Sequence, residues 1–183
     1  SEYSASRFTC TTQQSPPCGS GLPQIRASSA YALGATGQGI TVGVLDSDVD
    51  ASISELAGRI AGSFDVFAAS RSPTDFDPDA HGTFVSSVIV ANRDNETARG
   101  NVHGVAYQAQ VFSIRIDQPG SCQPNGAGTE NDCNLSGLVT GIDQAVARGL
   151  RIINLSLGGE DGTPLPNSVR LALQRAVNAG ALV

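Results

Sequence analysis

Apolar and polar positions along the chain follow two rhythms, one of strands and one of helices. Thr41 to Leu45 is a short β-branched, apolar run that predicts a buried strand. Arg59 to Val66 carries a weaker strand signal, Ala109 to Ile116 alternates as a third strand, and Arg151 to Leu155 reads as a fourth. Helical spacing intervenes. From His81, the apolar residues Phe84, Val85, Val88 and Ile89 recur at that spacing; Leu135, Leu138, Val139, Ile142, Ala145 and Val146 form a longer stripe. Val169, Ala172, Leu173, Ala176 and Val177 predict a further helix with Gly180 as its C-terminal cap, and Ala27 to Leu33 a short one ending at Gly34. Ala181 to Val183 opens another apolar strand. Strands alternating with helices imply an α/β domain whose sheet is mostly parallel and covered on both faces. Residues 1–26 are polar and without period, so they read as an arm on the outside of a domain spanning 27–183. Polar loops fill 92–101 and 117–134.

Composition narrows the function classes. A chain of 183 residues with 40% hydrophobic content can bury one sizeable core. No apolar run reaches the length of a membrane span, and no signal peptide is visible. A net charge of −6 argues against a nucleic-acid or anionic-membrane surface, because phosphate binding needs clustered cations. A chain that starts at Ser1 and holds no methionine reads as a processed product or a fragment. The four cysteines fall into two local pairs, Cys10 with Cys18 and Cys122 with Cys133, each in a Pro/Gly/Asn-rich segment. No CxxC spacing and no nearby histidine supports metal ligation, so two local disulfides are the better reading, although four cysteines allow three pairings. Disulfides place the chain in an oxidising, secreted or extracytoplasmic setting.

The chemistry points to Asp46 and His81. An Asp at the carboxyl end of a strand and a His at the amino end of a helix can meet over one edge of a sheet, where the carboxylate orients the imidazole as a general base for a serine nucleophile. Capping roles are the structural alternative for both residues. His103 has no second ligand or base beside it and reads as structural. The run Gly34 to Gly39 (GATGQG) precedes a strand rather than following one, which excludes a dinucleotide-binding loop. Ser156 lies in LSLGG and not in a GxSxG elbow, so it is not read as a nucleophile. Gly158 and Gly159 offer a bare backbone edge along which an extended peptide can pair.

Four segments in order resemble the subtilisin-like serine peptidases, or subtilases: GQGITVGVLDSDVDASISEL around Asp46, HGTFVSS from His81, Gly104-Val105-Ala106 with Ala109-Gln110-Val111, and Ile153 to Gly159 (INLSLGG). The resemblance implies a three-layer α/β sandwich and peptide-bond hydrolysis by an Asp–His–Ser mechanism, with Asp46 and His81 as two catalytic residues. Ser156, Leu157, Gly158 and Gly159 are then the strand that binds polypeptide substrate. It implies no required cofactor, and calcium as a structural ion with Glu55 and the 92–101 loop as candidates. In the family, the nucleophilic Ser and an oxyanion Asn come from sequence after the position of Val183. The chain therefore reads as the N-terminal portion of a catalytic domain, truncated before the C-terminal strands and the nucleophile helix. Needing the remainder of that domain, it is expected to be inactive alone; the alternative is a non-catalytic peptide-binding pseudoprotease on the same fold. The first segment resembles secreted and autotransporter-type bacterial subtilases. The chain departs from the pattern in two places. Asp48 stands where Gly is usual, adding a carboxylate expected to raise proton affinity around His81, and Phe84, Ser86 and Ser87 replace His, Ala and Gly.

Overall fold

In a computed structural model, the structure describes residues 21–70, 81–93, 103–119, 121, 123–124, 131–132, 135–158 and 164–183. The polar arm contributes one helical turn, Gly21–Gln24 (α1), where the sequence shows no period, and the short helix α2 follows at Ala27–Ala32. The strands fall where the apolar runs place them: β1 at Thr41–Asp46, β2 at Ile60–Asp65, β3 at Gln110–Arg115 and β6 at Ile152–Asn154. These four form one wholly parallel sheet in the order β2-β3-β1-β6. Gln123–Pro124 (β4) and Asn131–Asp132 (β5) pair as a separate antiparallel ribbon. The last apolar run bridges the sheet at one point, with Leu182 parallel to Ile152.

Three longer helices cover the sheet: α3 at His81–Val90, α4 at Leu138–Ala147 and α5 at Asn167–Asn178. Along β1, side chains alternate between faces, as the two-residue period of a strand requires. Val42 and Val44 enter one core with Leu56, Val111 and the α3 residues Val85 and Val90. Leu45 enters the other with Ile114, Ile116, Ile153, the α4 residues Ile142 and Ala145, and the α5 residues Ala172 and Ala176. The result is the three-layer α/β sandwich expected from the sequence. Ile114 is fully buried in the second core. An Ile114→Ala variant is expected to lose about 2–5 kcal/mol of stability, read as a lower midpoint in urea unfolding.

Gly149 and Gly180 end α4 and α5 by the same device. Each has positive φ (71° and 83°). Each carries the paired bonds of a Schellman turn, Gly149 N–H to Val146 O with Leu150 N–H to Ala145 O, and Gly180 N–H to Val177 O with Ala181 N–H to Ala176 O. The cap predicted at Gly180 is therefore present, and α4 stops before β6 for the same reason. At its other end α4 starts three residues later than the apolar stripe suggests, because Leu135 to Gly137 forms a turn closed by Leu138 N–H to Leu135 O.

Candidate active site

Parallel strands present all their carboxyl ends at one edge. There β1 ends on Asp46 and β3 on Arg115. In β6, Asn154 lies level with Val44, two residues before Asp46. From β1 the chain passes to β2 and returns as β3 between the two on one side, then crosses to β6 on the other. Crevices in such sheets form outside the carboxyl ends at this reversal. His81 opens α3 at this edge.

The helix start and the strand end are laced together by side chains. His81 Nδ1 lies 2.8 Å from Asp46 Oδ1, which also accepts the Ser47 N–H at 2.8 Å. Ser47 Oγ accepts the Gly82 N–H at 3.0 Å, and Thr83 Oγ1 accepts the Asp50 N–H at 2.8 Å. An orphan donor of the first turn of α3 is thus satisfied from the turn after β1. Gly82 is what lets the two segments meet: a Cβ there would fall 2.5 Å from Ser47 O and 2.8 Å from Asp48 O. A Ser47→Ala variant is expected to lose about 1 kcal/mol through the unsatisfied Gly82 donor, measured by chemical denaturation. Ser47→Thr, which keeps the acceptor, is expected to retain most of that stability.

The electrostatics separate the two partners. Asp46 is 2% exposed, whereas the His81 side chain is 40% exposed. Burial pushes the Asp46 carboxyl above its ordinary value, opposed by the His81 hydrogen bond and charge and by the Ser47 bonds. Asp46 Oδ2 is buried with no hydrogen-bond partner among the described residues. A ring that donates from Nδ1 to a carboxylate holds, when neutral, its acceptor lone pair on Nε2, as a general base requires. The N-terminus of α3 disfavours a positive charge on that ring in the resting state, and Asp46 stabilises it once a proton arrives.

The remaining sequence-predicted residues divide. Ser156 follows β6 at the same edge, exposed, with its Oγ accepting the Asn154 amide at 2.8 Å. Leu157 packs against the second core, and Gly158 is exposed with open space where a Cβ would stand. Gly159 and all four cysteines, Cys10, Cys18, Cys122 and Cys133, lie outside the described residues. His103 packs its ring against Tyr31 and Tyr107 at 5.7 and 5.1 Å between centroids, with Nδ1 2.8 Å from Gly104 O. Of the calcium candidates, Asn92 donates its N–H to Glu55 O at 2.8 Å, but its side-chain oxygen is taken by Arg59 Nε at 2.7 Å. Among the described residues no group of three His, Cys, Asp or Glu could hold a metal ion. Residues 94–101 of the candidate loop lie outside the described residues. Of the α3 replacements, Ser86 is fully buried with no partner for its hydroxyl among the described residues, and Ser87 Oγ donates to Thr83 O at 2.9 Å.

Sequence reasoning passed over Arg115, which is 7% exposed and donates to Asp117 from Nε at 2.8 Å and from Nη2 at 3.1 Å. The signal was present: a cation at the end of a strand, two residues before an Asp. A buried charge demands a partner, and such a pair at a strand's carboxyl end belongs to the site's surroundings.

Residues 37–183 match the Subtilase family. Subtilisin E of Bacillus subtilis (strain 168) is 30% identical over 164 residues, which is 89% of this chain and 38% of that protein. Subtilisin DY of Bacillus licheniformis is 31% identical over 163 residues, covering 89% of this chain and 52% of its own length. The major intracellular serine protease of Bacillus subtilis (strain 168) is 31% identical over 165 residues, 89% of this chain and 47% of that protein. The chain thus spans about half or less of the length of these relatives. The solved structure of the prenylagaramide maturation protease PagA has a TM-score of 0.60 at 23% identity, over 85% of this chain and 48% of that one, a likeness of fold alone. Nothing in these likenesses supports an autotransporter-type affinity. No helix among the described residues is long and apolar enough to cross a membrane. The family match runs from ahead of β1 to the last residue and takes in both Asp46 and His81, and on that ground the chain belongs to the subtilases, the subtilisin-like serine proteases.

Proposed function

We propose that this chain supplies the acid–base half of a serine endopeptidase active site, with Asp46 and His81 in the roles of orienting acid and general base. The supporting observation is the 2.8 Å contact between His81 Nδ1 and a buried Asp46 oxygen. In the proposed reaction, a serine hydroxyl attacks the peptide carbonyl while His81 Nε2 takes its proton. Asp46 stabilises the resulting imidazolium without itself becoming protonated, and His81 returns the proton to the leaving amine. The nucleophile and an oxyanion donor are proposed to lie in sequence beyond position 183. Residues 1–183 alone are then inactive, lacking the acyl-forming group and about 3 kcal/mol of oxyanion stabilisation. The extended substrate is proposed to pair along Ser156, Leu157, Gly158 and Gly159, which suits a polypeptide substrate read mainly through its backbone.

This chemistry requires no cofactor, and calcium, if bound, is proposed only as a structural ion. Cys10–Cys18 and Cys122–Cys133 are proposed as disulfides of a secreted or extracytoplasmic enzyme. One relative is named as intracellular, so the cysteines rather than family membership support that location. The test uses the full-length protein, a fluorophosphonate probe and an unfolded protein substrate. Labelling of one serine, with hydrolysis lost in His81→Ala, is expected. Peptide binding without labelling or hydrolysis would establish the pseudoprotease instead.

A further inference from the structure

The turn after β1 is braced by its own side chains. Each of its three aspartates accepts from a backbone N–H just beyond it: Asp46 Oδ1 from Ser47 at 2.8 Å, Asp48 Oδ1 from Val49 at 2.9 Å and Asp50 Oδ1 from Ser52 at 2.8 Å. Short acceptors of this kind fix local turns. Three consecutive residues of α3 meet this turn, each at a different point. His81 Nδ1 meets Asp46, the Gly82 N–H donates to Ser47 Oγ, and Thr83 Oγ1 accepts the Asp50 N–H. The last two bonds run in opposite directions, helix backbone to turn hydroxyl and turn backbone to helix hydroxyl, as the reciprocal bonds of a capping box do within one segment. One such bond would leave a pivot about which the helix start could swing; the second stops the swing. Contact at Gly82 closes the remaining freedom, since Ser47 O lies 2.5 Å from where a Cβ would stand. The helix start cannot move toward the turn, and the two bonds resist its moving away. The His81 side chain is 40% exposed, and a half-exposed ring is held less by packing than a buried one.

We propose that Ser47 and Thr83 are positioning residues for His81: together they clasp the first turn of α3 to the turn after β1, and so set the distance and direction from which the imidazole meets Asp46. They act through the backbone at Gly82 and Asp50, which their oxygens hold. Both side chains are uncharged, so the clasp works by geometry. Its catalytic meaning rests on the peptidase reading, but its geometric content can be read without hydrolysis.

The test uses the full-length protein with Ser47→Ala, Thr83→Val and the two combined, beside Ser47→Thr and Thr83→Ser, which keep each oxygen. Each single oxygen-removing variant is expected to lose between about tenfold and 10²-fold in kcat. KM is expected to change little, because the proposed substrate strand follows β6, on the other side of β1 from β3. The double variant is expected to match the less active single one, because a two-point clasp fails when either point opens. Ser47→Thr and Thr83→Ser are expected to stay near the wild type. The second readout is the NMR signal of the His81 Nδ1 proton in its bond to Asp46, assigned by its loss in His81→Gln. Thr83→Val is expected to move that signal upfield or abolish it, and Thr83→Ser to keep it. A merely stabilising role for the two hydroxyls predicts a lower unfolding midpoint, with kcat and the Nδ1 signal of the folded protein unchanged. That result overturns the proposal, as do losses in kcat that multiply in the double variant. Absence of hydrolysis in the wild type counts against the peptidase reading alone, since the Nδ1 signal still decides the clasp.

Discussion

An Asp46→Asn variant of the full-length protein is expected to lose about 10⁴-fold in kcat while unfolding no more easily than the wild type. The two halves of this prediction have one cause. The Asp46 carboxylate is buried and raised in pKa chiefly by desolvation. A carboxyl whose folded pKa lies above its unfolded value costs stability once pH exceeds the unfolded value. That cost is relieved as pH falls through the folded pKa. At neutral pH, replacing the carboxylate with an amide removes the desolvation cost. The amide, however, no longer stabilises an imidazolium, and its NH₂ group can impose the wrong tautomer on His81. Kinetics on a peptide substrate and a thermal melt on the same sample check both halves. A large fall in stability would mean that Asp46 is principally structural.

Gly82→Ala is expected to do the opposite, damaging fold and activity together. The added Cβ meets two backbone oxygens, Ser47 O at 2.5 Å and Asp48 O at 2.8 Å, and neither can swing aside as a side-chain tip could. The start of α3 must back away, breaking the Gly82–Ser47 and Asp50–Thr83 bonds and lengthening the His81–Asp46 contact. Overpacking costs about 1–3 kcal/mol, and here, against backbone atoms, the upper end is expected. A displacement near 1 Å of a catalytic group costs roughly 10²-fold in rate. Chemical denaturation and kcat/KM report the two effects. Wild-type values for both would show that the close approach of turn and helix is not needed.

Much of the fold could be read from local pattern, because β-branched runs and helical stripes depend on near neighbours. Thr41–Asp46, His81–Val90 and Asn167–Asn178 all sit within about two residues of where periodicity places them. The start of α4 was misread for a tertiary reason. Leu135 fits the helical stripe, yet the chain must turn there as Gly137 passes Ile116, where a Cβ would meet a carbonyl oxygen at 2.5 Å. At the site, Asp46 and His81 were legible because a strand end and a helix start are local signals that a parallel sheet brings to one edge. The Ser47–Gly82 and Thr83–Asp50 bonds were not, since each joins residues more than 30 positions apart. Asp48 shows the same limit. Sequence alone gives its charge, and only the fold sets Arg115 3.6 Å from it.

The proposed acid–base chemistry depends on a buried carboxylate stabilising the protonated form of a partly exposed imidazole. The direct measurement is an NMR titration of His81 in the full-length protein and in Asp46→Asn, with the signal assigned by its loss in His81→Gln. Loss of the carboxylate is expected to lower the His81 midpoint by about one unit or more. Coincident His81 curves in the two proteins would contradict an acid–base pair at this edge of the sheet.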